Sequence, residues 1–336
     1  MNASGPSIHD PRSGEILEAR INWYHNVLSL LHDWYFVQAA AVDKEARYMQ
    51  FNDSLMGRLI RYVCSHEVGH TLGLTHNFGA SSTIPVDSLR NKSYLEKSGF
   101  CPSIMDYARF NYVAQPEDSI TVNGIFPRVG IYDEWAIQWG YSLYNLLGIK
   151  DENKYLNELI IRQNKSDKRF WFGSEAAASD PRCQAEDLGD NSVMASNYGI
   201  LNLKRIYSHL LEWTTAPGNG YEELKRIQLA IINQFKKYVF HVANIIGGVY
   251  YSPKLNGESG NVYSFPPVDL QKDALRFLKQ HLFDMPNWIF DREIYLHTGI
   301  GDPAEIMTIQ HLVFQKILSQ FLLAKLKMGS HINDLY

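Results

Sequence analysis

The sequence predicts an α+β protein that is predominantly helical, with a small N-terminal β element and a large helical C-terminal part. Three observations predict it. Apolar residues recur at three- and four-residue spacing through most of the chain beyond residue 130. Strand-like patterns are confined to the opening and to one short break near residue 250. The 336 residues, 45% hydrophobic and 20% charged, suffice for the core of one large domain or two ordinary ones and are too apolar for a disordered chain. No repeat or low-complexity tether divides the chain. A change of texture near residues 115–130 separates 1–125, which carries the chemistry, from 126–336, which is mainly helical and packs on it.

The opening is rich in turn signals, Gly5-Pro6 and Asp10-Pro11-Arg12-Ser13-Gly14, followed by an extended run over 15–21. This reads as a hairpin whose second strand runs directly into a helix over 21–41, with Trp23, Val27, Leu30, Leu31, Trp34 and Val37 on its apolar face. A second helix starts at Asn52 or Asp53, both good N-caps, and runs to Leu72, where Gly73 stops it. Residues 77–130 are irregular, and so long a loop inside a compact chain is usually functional. Further helices are predicted over 133–146, 152–163, 192–214, 221–246, 269–283 and 303–327. The stretch 252–261, between Tyr250-Tyr251 and Val262-Tyr263, reads as a hairpin or an exposed loop.

Composition excludes several function classes. Thirty-two Lys and Arg against 36 Asp and Glu give a net charge of −4, so no field favours nucleic acid or an anionic membrane. No apolar run is long enough for a membrane span; the longest candidate, 227–249, is broken by Lys236, Lys237 and His241. Cys64, Cys101 and Cys183 are too few for a disulfide framework, and one bridge or three free thiols are both compatible with them. The N-terminus has no signal-peptide pattern.

The chemistry is concentrated in His66-Glu67-Val68-Gly69-His70-Thr71-Leu72-Gly73-Leu74-Thr75-His76. On a helix, His66 and His70 project from one face and can share a metal, with Glu67 beside a water on the same ion. Gly73 can adopt positive φ, ending the helix in a turn that swings His76 back as a third ligand. Three neutral histidines leave one zinc position open, which is the catalytic rather than the structural arrangement.

This segment matches the metzincin pattern H-E-x-x-H-x-x-G-x-x-H, and Ser103-Ile104-Met105-Asp106-Tyr107 further on resembles the S-x-M-x-Y Met-turn. Asp10-Pro11-Arg12-Ser13-Gly14-Glu15-Ile16-Leu17 resembles a hairpin found upstream of the zinc helix in many metzincins, and the runs Gly69 to Phe78, Pro102 to Asp118 and Tyr132-Asp133-Glu134-Trp135-Ala136-Ile137 resemble more narrowly the bacterial met-zincin proteases. The specific motifs cover residues 10–140. The resemblance implies a metzincin-like zinc protease core and a zinc-dependent metalloendopeptidase. His66, His70 and His76 would hold Zn2+, and a water on the zinc would attack the peptide bond with Glu67 as general base. Met105 would form an apolar floor, and Tyr107 would lie near the metal as an extra ligand or an oxyanion donor. It further implies a protein or peptide substrate, export from a bacterium to the periplasm or beyond, and membership of a longer polypeptide. Fewer residues precede the zinc helix than in a usual metzincin, so the substrate-facing edge strand is either missing or formed by the first residues.

Other residues have plainer readings. Asp106 belongs to the turn or supports the ligands, and Ser103 has no His/Asp partners that would make it a nucleophile. The remaining nine histidines stand at no ligand spacing. The acidic stretch 186–191 lacks the order of a calcium loop and suits a helix N-cap. Phe110 and Tyr112 are candidates for lining a specificity pocket. Two other functions compete with proteolysis: a catalytically weak zinc-containing binding or scaffold module, and a hydrolase of a non-peptide amide.

Overall fold

The computed structural model describes residues 3–144, 148–177, 179–256 and 258–332. Its first segment is a single β-ribbon built from two antiparallel pairs laid end to end. Strands β2 (Ser7–His9) and β3 (Ile16–Ala19) form the hairpin, with a one-residue register shift between Ile8 and His9. The ribbon continues past a bond from the Arg20 N–H to the Pro6 carbonyl into β1 (Ala3–Ser4) and β4 (Asn22–Trp23). Because Asn22 and Trp23 pair with the first strand, the helix expected from residue 21 starts only at α1 (Val27–Ala39). Its buried Val27, Leu31, Tyr35 and Phe36 follow the helical period.

Helix α2 (Asp53–Thr71) is capped by the Asn52 side chain, which accepts the Leu55 N–H at 2.8 Å. Leu55, Leu59, Tyr62, Val63 and His66 form its buried face, so the metal-ligand pattern is an extension of the core stripe. The segment 77–130 holds only the short helix α3 (Lys92–Ser98) and isolated turns. Polar side chains order it by satisfying backbone groups. The Asn111 amide donates to the Leu89 and Gly124 carbonyls, and Arg90 forks onto Asp118 at 2.7 and 2.8 Å.

The rest is helical: α4 (Ile131–Tyr141), α5 (Ile149–Ser166), α6 (Ser192–Ser208), α7 (Leu210–Thr214), α8 (Glu222–Ala243), α9 (Val268–Leu278), α10 (Arg292–Thr298), α11 (Pro303–Ile317) and α12 (Gln320–Ile332). Between α8 and α9, β5 (Tyr250–Tyr251) and β6 (Tyr263–Ser264) pair as the hairpin alternative of the 252–261 break. The end of the helix predicted over 133–146 reaches residues 145 and 146, which lie outside the described residues. The predicted 192–214 helix is broken at His209 and the 303–327 helix near Leu318, while 269–283 ends in a π-helical turn over Lys279–Phe283. Helix α10, capped by Asp291 and ended by Gly299 in the left-handed region, was not among the expected elements.

Helix α8 is the centre of the core, burying Leu224, Ile227, Ile231, Phe235, Tyr238, Val239 and Val242 against α1, α6, α7 and α9. The 77–130 segment rests on this bundle. Tyr112 packs on Tyr238 with ring centroids 4.6 Å apart, and the Asn202 amide donates to the Tyr112 and Ala114 carbonyls. No helix among the described residues is long and apolar enough to cross a membrane. All three cysteines are free, so the single-bridge alternative does not hold.

Candidate metal centre

Helix α2 carries His66 and His70 one turn apart and ends just beyond them. Its end is a Schellman motif: the Leu74 N–H bonds the Gly69 carbonyl at 3.0 Å and the Gly73 N–H bonds the His70 carbonyl at 2.9 Å. Gly73 sits at φ +86°, where a side chain would be strained. The Tyr141 hydroxyl, at the end of α4, donates to the Leu72 carbonyl and pins this turn from outside. The chain reverses there, and His76 returns against His70 with the two Nε2 atoms 3.1 Å apart.

The ligand-capable atoms of His66, His70 and His76 lie within 4.8 Å of one another, the only such group of three or more His, Cys, Asp or Glu among the described residues. Each Nδ1 has its own acceptor. His66 faces the Ile104 carbonyl at 2.8 Å, His70 the Leu74 carbonyl at 2.9 Å, and His76 a Glu175 carboxylate oxygen at 2.6 Å. Two of these acceptors are carbonyls, which cannot donate, so the protons of His66 and His70 are fixed on Nδ1 and the Nε2 lone pairs turn to the common point. The Nε2 of His66 is buried with no hydrogen-bond partner, a costly state for a neutral imidazole unless a cation accepts the lone pair. Tetrahedral zinc with ordinary Zn–N distances spaces its nitrogens by about 3.3 Å, close to the 3.1 Å seen between His70 and His76. The three residues fit zinc.

Burial shapes the electrostatics. Desolvation pushes the imidazolium of His66 down to about 3 and lowers that of His76, against the opposing effect of Glu175. Both are therefore neutral, as metal ligands must be. Glu67 is buried beside His66, with one carboxylate oxygen unpartnered and the Gly5 backbone N–H bonded to the carboxylate. Burial raises its carboxyl above the usual carboxylate value while His70 and the Gly5 N–H pull it back.

Met105 lies directly beneath α2. A Cβ added to Gly69 would stand 2.3 Å from the Met105 sulfur, so the turn approaches the helix as closely as only glycine permits. The turn is clamped by Asp133 of α4, whose carboxylate accepts the Ser103 hydroxyl at 2.6 Å, the Ile104 N–H at 2.7 Å and the Gly130 N–H at 2.8 Å. That hydroxyl also accepts the Met105 N–H, which accounts for Ser103 as a turn residue. Asp106 is buried and accepts the Ser81 N–H at 2.7 Å, and desolvation pushes its carboxyl up to about 8. Tyr107 places its ring against those of His76 and His66, with centroids at 4.5 and 5.2 Å.

Several expectations are corrected or extended. Phe110 and Tyr112 do not line a pocket. Both are fully buried, Phe110 among Tyr35, Tyr62 and Phe126, because the chain turns inward immediately after the Met-turn. The carboxylates of 186–191 do not converge on a centre. Glu186 pairs with Lys237, Asp190 accepts the Val86 N–H, and Asn191 caps α6. Sequence reasoning missed Glu175, Asp133 as the clamp, and Arg109, which lines a cavity with His66 and Glu67. None follows a spacing rule, since each acts across a tertiary contact.

Glu175 reaches His76 because its segment is tied to the chain after the third histidine. Asn77 pairs with Ser174, accepts the Gly173 N–H through its side chain, and donates its own N–H to the Met105 carbonyl. The sequence model of the Met-zincin family matches residues 48–334. No curated protein and no solved structure matches the chain significantly. That match covers most of the chain and includes the three histidines, Glu67 and the Met-turn below them, and the chain belongs to the Met-zincin family.

Proposed function

We propose that this chain is a zinc-dependent metalloendopeptidase acting on protein or peptide. The observation that carries the reading is the convergence of three Nε2 lone pairs with a buried, partly unpartnered carboxylate, Glu67, beside them. Bound there, zinc supplies Lewis acidity toward a carbonyl and acidifies water. Glu67 takes one proton from the water that attacks the scissile carbonyl carbon. It then delivers that proton to the amine as the C–N bond breaks, so carboxylate and proton balance over the cycle. The Tyr107 hydroxyl donates to the oxygen that becomes negative at the tetrahedral stage. Met105 keeps the underside of the ligands dry, and Ile104, Leu74 and Glu175 hold the imidazoles in one tautomer.

Glu67 would be dispensable in a module that only binds zinc, and its burial without full pairing would then be a cost with no return. This favours hydrolysis over a scaffold role. The test is zinc content by elemental analysis, paired with cleavage of a quenched peptide library by wild type and Glu67→Gln. One zinc per chain in both proteins, with cleavage only by the wild type, is the expected result. Cleavage by the variant at the wild-type rate refutes the role of Glu67. Zinc with no peptide cleavage, but with turnover of acylated small amides, selects the non-peptide reading.

A further inference from the structure

Glu67 and His66 line a cavity of about 290 Å³ together with Trp34, Tyr62, Tyr107 and Arg109. The guanidinium of Arg109 is stacked between two rings, 3.7 Å from the Trp34 centroid and 4.4 Å from that of Tyr107. Aromatic faces hold a guanidinium by its plane and leave its N–H edge free to meet a planar anion. The guanidinium is only partly satisfied within the protein, by a hydrogen bond with the Tyr62 side chain and an ion pair with Glu186. The buried Nε faces Glu186 at 3.7 Å, an ion-pair distance longer than a hydrogen bond, so the pairing is loose. Glu186 is also committed elsewhere, to the Lys237 ammonium at 2.6 Å and the Gln38 amide at 3.2 Å. Two cations thus share one carboxylate. Trp34 also lines a second groove, about 720 Å³, that carries Arg226, paired with Asp33 and Glu223, Lys237, paired with Glu186, and Lys236.

We propose that Arg109 is a specificity-determining residue that selects a carboxylate next to the bond being cleaved. An anion entering this cavity would complete the pairing of a buried cation, which is worth far more here than at the surface. A neutral isostere would forgo that charge pairing and bind more weakly. The carboxylate has two possible sources, an Asp or Glu side chain and the terminal carboxylate of the substrate. The inference rests on the hydrolase reading above and adds its substrate class.

The test digests a peptide library with the zinc-loaded wild type and identifies the products by mass spectrometry. Asp and Glu should exceed Asn and Gln by at least about tenfold at one position flanking the cleaved bond. If the terminal carboxylate is the ligand, cleavage will instead cluster at chain ends and be lost on C-terminal amidation. Arg109→Met should erase the discrimination and Arg109→Lys should retain part of it. Calorimetry on the Glu67→Gln variant gives a readout free of turnover, in which a Glu-containing peptide should bind about tenfold tighter than its Gln twin. Glu67-dependent cleavage with no preference for a carboxylate overturns this proposal and leaves the hydrolase reading intact. A preference that Arg109→Met leaves unchanged in a folded, zinc-binding protein overturns the role of Arg109. Absence of all cleavage by the wild type, together with equal binding of the two peptides, overturns both readings.

Discussion

Replacing Asp133 by Ala tests whether the Met-turn is held by α4 or merely packs against it. The carboxylate accepts three hydrogen bonds in a site only 2% exposed. The Ser103 hydroxyl can rotate toward another acceptor, but the Ile104 and Gly130 N–H groups cannot. Each buried N–H left without an acceptor costs about 2 kcal/mol, so the variant should lose about 4 kcal/mol of stability. The Ile104 and Gly130 N–H groups share one oxygen, Oδ2, so Asp133→Asn with its amide oxygen in that position keeps both satisfied and should lose much less. The damage should reach the metal, because the Ile104 carbonyl that follows the clamped N–H is the acceptor for His66 Nδ1. Loss of such an orienting partner lowers metal affinity by roughly 10- to 100-fold. Urea unfolding in excess chelator measures stability without the metal's contribution, and competition with a chromophoric chelator measures zinc affinity. An Asp133→Ala protein within about 1 kcal/mol of wild type would refute the count of unsatisfied donors. Lost stability with unchanged zinc affinity would refute the coupling through Ile104.

Three further outcomes follow from the same contacts. Glu175→Gln should weaken zinc binding by roughly 10- to 100-fold in a chelator competition while leaving unfolding in chelator unchanged, since the carboxylate is half exposed and serves His76 alone. Gly69→Ala should cost about 1–3 kcal/mol through its contact with the Met105 sulfur, and adding Met105→Ala should cost less than the sum of the two single changes in urea titrations. His241 is buried with its Nε2 against the Ala185 carbonyl, and desolvation pushes its pKa down to about 4, below the unfolded value near 6.5. Between those values the unfolded chain binds a proton that the folded chain refuses. Stability conferred by neutral His241 is therefore intact above pH 6.5 and is lost as pH falls toward 4. The wild type's advantage over His241→Gln should shrink by about 1.4 kcal/mol per pH unit in that window, and a constant gap would contradict it.

The legible parts of the chain were those whose physics is local. A four-residue spacing puts two imidazoles on one helix face whatever surrounds it, and Gly73 marks the turn because no other residue type sits easily at its φ. The caps at Asn52 and Asn191 were visible for the same reason. The residues that complete the site were not. Glu175 approaches His76 from 99 positions away, and Asp133 approaches Ser103 from 30. No periodicity encodes such pairings, which exist only after the helical part has closed over the loop. The helix breaks at His209 and Leu318 carry neither Gly nor Pro, so packing rather than propensity places them. Helix α10 did leave a signal, the Asp291 cap and Gly299 stop, in a stretch too short for periodicity to register.

The three imidazoles are oriented in two different ways, and the difference sets how the centre assembles. His66 and His70 lean on carbonyls contributed by the first third of the chain, so their geometry is inherited from α2 and the turn that crosses it. His76 leans on a carboxylate delivered by a segment joined to Asn77 through a two-residue bridge. A metal ion bound here would therefore cross-link the α2 scaffold to the strap that carries Glu175. By linkage, whatever factor the docked strap adds to metal affinity, the metal returns to the strap as protection against local opening. Hydrogen exchange at the amides of Gly173 and Gly79, which bridge the two segments, would report metal occupancy even though neither residue touches the ion.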